Sequence, residues 1–136
     1  MTTLNTPNGL LINGEWIAGD SRFDVLNPAT GDVLSQVGDA TLKDADSAIT
    51  AAHDAFKTWS HSAPRVRAEV LRRAWEIMTA EIETCARLIS LENGKAWRDS
   101  MAEAVYAAEF FRWFSEEASR VPGDFRYAPN GDKTII

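Results

Sequence analysis

The hydrophobic pattern of this chain changes period once and stays changed for most of its length. Up to residue 40 the apolar residues come in short runs bounded by Asn-Gly, Asn-Pro and Gly-Asp. From Thr41 to about Val121 they recur at steps of three and four. Short bounded runs read as strands and the longer period as helices. The order is therefore strands first and helices after, without strand–helix–strand alternation. A complete dinucleotide-binding βαβ unit needs that alternation and is not present.

Turn chemistry sharpens the strand half. Leu10-Leu11-Ile12 and Glu15-Trp16-Ile17 flank Asn13-Gly14, a hairpin signal because both turn residues tolerate positive φ. Phe23 to Leu26 and Val33 to Val37 flank Asn27-Pro28-Ala29-Thr30-Gly31-Asp32, where Pro fixes φ and Gly supplies a left-handed position. In the helical half, Thr41 with Asp44 three residues on predicts a capping box. Ala45, Ala48, Ile49, Ala52 and Phe56 then share one face.

Pro64 suits a first helical position, and a stripe from Val66 through Val70, Leu71, Ala74, Ile77, Met78, Ile82, Cys85, Leu88 and Ile89 leads to Gly94, a natural C-cap. A helix from Pro64 to Asn93 is long for a globular domain, so a break is expected near Thr79 to Thr84. Glu69–Arg73 and Glu83–Arg87 have the spacing of helical ion pairs. A further helix is expected from Trp97 to Val121, ended by Pro122-Gly123, and Phe125–Ala128 and Lys133–Ile136 read as two last strands. Stopping inside a strand suggests that a longer chain continues from Ile136.

Composition excludes several classes of function. A net charge of -6 disfavours nucleic acid, which needs clustered Lys and Arg. No run of about 18 apolar residues would span a membrane, and the first residues lack the basic and apolar regions of a secretory leader. One cysteine permits no internal disulfide and suits a reducing, cytoplasmic setting. Cys85 lies in register with Met78, Ile82 and Ile89, which reads as a buried thiol rather than an activated nucleophile. His53 and His61 have no ligand or dyad spacing and read as surface residues. Gly94-Lys95 is no phosphate loop, because position 89 is Ile and position 96 is Ala.

Four strings stand in order: Leu11-Ile12-Asn13-Gly14-Glu15-Trp16, Asn27-Pro28-Ala29-Thr30-Gly31, Leu91-Glu92-Asn93-Gly94-Lys95, and Glu109-Phe110-Phe111-Arg112-Trp113-Phe114-Ser115-Glu116-Glu117-Ala118. Together they resemble the N-terminal part of the NAD(P)-dependent aldehyde dehydrogenases, and the last string is most similar to succinate-semialdehyde dehydrogenases. The resemblance implies an aldehyde dehydrogenase-like α/β fold, of which this piece holds short β-hairpins, three or four helices and the start of a β arm. It implies a disordered segment over 1–9, an incomplete part of the cofactor-binding domain over 10–123, and a truncated oligomerisation arm over 124–136. The longer enzyme would oxidise an aldehyde with NAD or NADP, while this chain alone would bind neither and carry no catalytic residue.

By the same resemblance, Glu92 with the backbone oxygens of Val25 and Leu26 is a candidate monovalent-cation site. Tyr106, Phe110 and Trp113 are candidate walls of the substrate tunnel. The implied partners are further copies of the chain, as dimer or tetramer, with self-association through the cut arm; neither nucleic acid nor membrane is implied. Ala96-Trp97 departs from the Pro that often follows Gly-Lys in the family. A reading from another class is a non-catalytic interaction module that binds or caps an enzyme subunit.

Overall fold

The computed structural model describes residues 7–123, 125–131 and 133–135. Residues 1–6 of the expected N-terminal tail, and Ile136 of the last strand, lie outside them. The Asn8 carbonyl accepts a 2.8 Å hydrogen bond from the Gly38 N–H, so the chain is held in place from there.

Among the described residues, three antiparallel pairs make up the strand content. β1 (Leu10–Ile12) pairs with β2 (Glu15–Ile17), with Ile12 opposite Glu15. Asn13 and Gly14 both take positive φ, 52° and 79°, as the two-residue turn requires. β3 (Ser21–Leu26) pairs with β4 (Val33–Asp39), with Phe23 opposite Val37 and a register shift between Val25 and Leu26. The turn between them is fastened by its own polar groups. The Ala29 N–H donates to Asn27 Oδ1 at 2.9 Å, the Asp32 N–H to Thr30 Oγ1 at 3.2 Å, and the Gly31 N–H to the Asn27 carbonyl at 2.8 Å. β5 (Phe125–Tyr127) and β6 (Lys133–Ile135) form the third pair.

Four helices follow the second hairpin. α1 (Leu42–Trp59) opens on the capping box: the Asp44 N–H donates to Thr41 Oγ1 at 3.2 Å, and the Thr41 N–H donates to Asp44 Oδ2 at 2.9 Å. α2 (Pro64–Ala80) has Pro in its first turn, and α3 (Ile82–Asn93) ends on Gly94 in the left-handed region. The break expected near Thr79 to Thr84 falls on Glu81, whose φ of -106° and ψ of 24° bend the chain between α2 and α3. α4 (Trp97–Glu117) stops four residues short of Val121. Pro122 biases the residue before it away from helical geometry, and the last turn closes instead through the Arg120 N–H on the Glu117 carbonyl at 2.8 Å.

α4 is the centre of the helical half and packs along both α2 and α3. Its buried residues, Ser100, Ala104, Ala108 and Ser115, form one stripe of small side chains, which lets helix backbones approach closely. Ala68 of α2 and Ala86 of α3 are buried as well.

Two local expectations are corrected. The stripe of α2 and α3 is half-buried at best, with Val66, Val70 and Ile77 exposed, because among the described residues α4 supplies most of the helix packing against each of them. The ion pairs close differently: Arg72 binds Glu69 at 2.8 Å and also Glu76, Arg73 reaches Glu76 at 3.3 Å, and neither Glu69–Arg73 nor Glu83–Arg87 forms among the described residues. Arg72 faces an acid three residues before it and another four residues after it, so it takes the partner expected for Arg73.

The accessible surface is 10436 Å² for 15.0 kDa. A compact protein of that mass exposes about 7,000 Å². Several large apolar side chains stand exposed among the described residues, Leu42, Tyr106 and Trp113 among them.

Candidate functional site

α4 has two apolar sides because its sequence carries two interleaved sets of helical spacing. Ala104 and Ala108 face the other helices, and Tyr106, Phe110, Trp113 and Phe114 point the opposite way. This second set is open to solvent: Tyr106 is 66% and Trp113 64% exposed.

The aromatic side chains organise one another. The Tyr106 and Phe110 rings meet edge to face, with centroids 4.9 Å apart and planes at 83°. Phe110 and Phe114 lie nearly parallel, 6.4 Å apart at 12°. Both arrangements are those that ring quadrupoles favour. With Glu109, the rings line a shallow groove of about 320 Å³ that holds all three candidate tunnel residues, Tyr106, Phe110 and Trp113. It runs on towards the start of α4 as a trough of about 690 Å³, bounded by Lys95, Asp99, Ala102, Glu103 and Ala107 and sharing Tyr106 and Phe110.

Two ion pairs stand at the rim. Arg112 binds Glu109 at 2.7 Å, and Lys95 binds Glu103. Such exposed pairs contribute little stability. Neither Phe114 nor Glu109 is named as part of the wall in the sequence analysis. For Glu109 the available signal is its position, three residues after Tyr106 and four before Trp113.

A second cluster joins distant strings. Gly94, at φ 67°, packs against the Pro28 ring, and thereby sets the end of α3 beside the turn that follows β3. Glu92 is exposed in the last turn of α3. The register shift in β3 falls between Val25 and Leu26, where a bulge interrupts the strand ladder. Among the described residues no group of three or more His, Cys, Asp or Glu is arranged to hold a metal.

Cys85 is half-buried on α3 and not fully enclosed as its register suggested. It is the third residue after Ile82, on a helix covered mainly by α4. His61 Nδ1 lies 3.1 Å from the Lys57 carbonyl and 3.0 Å from Ser60 Oγ, at the end of α1. Arg67 fastens the same corner, donating from Nε to Ser62 Oγ at 3.0 Å and from its guanidinium to the Ser60 carbonyl at 2.7 Å.

Residues 16–136 match the aldehyde dehydrogenase family, and the chain belongs to that family. It is 38% identical over 126 residues to the succinate-semialdehyde dehydrogenase (NADP(+)) of Saccharomyces cerevisiae, an alignment covering 89% of this chain and 25% of the yeast protein. It is 40% identical over 127 residues to the 3-sulfolactaldehyde dehydrogenase of Pseudomonas putida, covering 92% and 26%. The crystal structure of succinate-semialdehyde dehydrogenase from Burkholderia pseudomallei superposes with a TM-score of 0.86 at 34% identity, covering 94% of this chain and 28% of that one. The chain thus spans about a quarter of the length of the curated relatives it matches. The expected fold, hairpins followed by helices and then a strand start, is borne out.

Proposed function

We propose that this chain is the N-terminal part of an enzyme that oxidises an aldehyde, succinate semialdehyde first among candidates, to a carboxylate with NAD or NADP. The observation that carries the reading is the open groove of Tyr106, Phe110 and Trp113, on a helix whose other face is already packed. In this reading the rings form one wall of the aldehyde's approach, exclude water and orient the carbon chain.

The reaction needs a thiolate to add to the aldehyde carbon and a base to activate water for thioester hydrolysis. When bound, the nicotinamide accepts the hydride. Cys85 is not that thiolate: it stands on α3, while the groove is lined by residues of α4. The reacting groups therefore lie on polypeptide that the relatives have beyond the matched quarter.

Glu92, with carbonyls of Val25 and Leu26, holds a monovalent cation in the same reading, supported by the contact of Gly94 with Pro28. Anomalous scattering from a thallium soak with no peak near Glu92 counts against that site. The assembly is a homo-oligomer built through the β5–β6 arm, in the cytoplasm. No helix among the described residues is long and apolar enough to cross a membrane.

The test compares two proteins: this chain, and the product of its whole genomic reading frame. With succinate semialdehyde and NAD or NADP, reduced nicotinamide should form only with the second. Absence of turnover there with any aldehyde, alongside binding of the chain to an enzyme subunit, sinks this reading and supports the non-catalytic interaction module.

A further inference from the structure

The small-residue seam of α4 ends beside a polar hollow that the aldehyde groove does not use. The hollow measures about 290 Å³ and lies between the first half of α2 and the end of α4. Ala68 and Ser115, both buried, are its innermost lining. Side chains this short leave room between the two helices. Arg65 and Arg72 stand on the α2 side, seven residues and thus two turns apart. Ser119 and Arg120 stand on the other. Three guanidinium groups therefore line one hollow, in a chain whose net charge is -6.

Their donors are not used up. A guanidinium has five N–H donors and no acceptor. Arg72 donates from Nε to Glu69 at 2.8 Å and from Nη1 to Glu76, which leaves Nη2. Arg120 donates from Nε and Nη2 to Glu117 Oε1, at 3.3 and 2.9 Å, which leaves Nη1. Among the described residues the side chains of Arg65 and Ser119 make no hydrogen bond or ion pair. Ser115 Oγ donates to the Arg112 carbonyl at 2.6 Å, so it is lining and not a donor to the hollow. The two carboxylates of the lining lie against arginines of the same wall, Glu69 against Arg72 and Glu116 3.9 Å from Arg120. Arg65 is also in the first turn of α2, which has no acidic residue and no capping side chain. The positive end of the helix dipole adds to its charge there.

We propose that this hollow binds a phosphate group, as inorganic phosphate or as the phosphate of a small monoester, through Arg65, Arg72, Arg120 and Ser119. The free donors come from two helices, and a tetrahedral oxyanion has oxygens to meet both. The planar fork of an arginine can hold two phosphate oxygens at once, which a lysine cannot. Bound there, the anion ties the start of α2 to the end of α4. The hollow shares no lining residue with the aromatic groove or its trough. The inference does not depend on the oxidation proposed above.

Equilibrium dialysis of this chain against labelled inorganic phosphate, at ionic strength fixed with sodium chloride, tests it. Binding should saturate at one phosphate per chain. Arg65→Gln should weaken it at least about tenfold, the loss expected for hydrogen bonds to a charged group. Arg65→Lys should recover only part of that loss, and Ser119→Ala should weaken binding about threefold. Arg65 and Ser119 are exposed and hold no other residue, so the variants should fold as the parent does, which circular dichroism verifies. Arg98→Gln makes the same change of charge outside the hollow and should leave binding unchanged. Glycerol 3-phosphate should displace the label; displacement at lower concentration than inorganic phosphate assigns the site to a monoester, and the reverse assigns it to the free ion. Absence of saturable binding overturns the inference. So does an equal loss in Arg98→Gln, which marks a diffuse effect of charge, and so does displacement by acetate as effective as by phosphate. The site should persist in the product of the whole reading frame, whatever that protein does with aldehydes, and its loss there overturns the inference as well.

Discussion

Gly94 and Pro28, 66 positions apart in sequence, are in contact: a β-carbon on Gly94 would stand 3.1 Å from Pro28 Cγ. Gly94 is also at φ 67°, where an L side chain is strained. The end of a helix and the turn of a hairpin are thus fitted together at a position that favours glycine for two separate reasons.

Gly94→Ala should destabilise the chain by about 1–2 kcal/mol, combining left-handed strain with crowding against the ring. Urea unfolding measures it. Adding Pro28→Ala should restore the crowding part but not the strain, so the double variant should lie between Gly94→Ala and the parent.

The cap of α1 predicts a pH effect. Asp44 has its pKa lowered, chiefly by the hydrogen bond from the Thr41 side chain and then by that from the Thr41 backbone. A depressed folded-state pKa stabilises above the unfolded value of about 3.9 and loses that contribution as pH falls through the lower folded value. Helix content of α1, followed by circular dichroism on acidification, should fall across that window. Thr41→Ala removes the principal cause and should flatten the response; an unchanged acid limb refutes the assignment.

The small-residue seam predicts overpacking. Ala104 is buried at the back of α4, so Ala104→Leu should cost roughly 1–3 kcal/mol. Val105→Leu, next to it but half-exposed, should fall within about 0.5 kcal/mol of the parent. Denaturant midpoints of the two variants test the contrast.

Trp113 predicts the reverse of a core tryptophan. It is mostly exposed, so Trp113→Ala should shift the unfolding free energy by no more than about 0.5 kcal/mol. In the active longer enzyme the same change should raise KM for the aldehyde several-fold with a smaller effect on kcat, as lost binding common to ground and transition states does. A large loss of stability instead would mark Trp113 as packing.

Local features were the legible ones. Asn13-Gly14, Pro28 to Gly31, the Thr41–Asp44 pair, Pro64 and Gly94 act on backbone within a few residues, and each turn, cap or helix end falls where they put it. Helical spacing puts Tyr106, Phe110 and Trp113 on one face, whereas their reading as a tunnel wall rests on the family resemblance. Periodicity does not tell whether a face has a neighbour, so the half-exposure of Cys85 and of the stripe from Val66 to Ile77 could not be read. The partner of Arg72 depended on two acids competing for one guanidinium, and the meeting of Gly94 with Pro28 on tertiary folding.

The seam of Ser100, Ala104, Ala108 and Ser115 does more than fill space. Side chains this small let α4 seat closely on α2 and α3, and close packing resists the rolling of a helix about its axis. The rings on the far side are therefore aimed from behind. An added methylene at Ala104 should turn Tyr106, Phe110 and Trp113 together, so the bearing of the groove is set by alanines outside its lining.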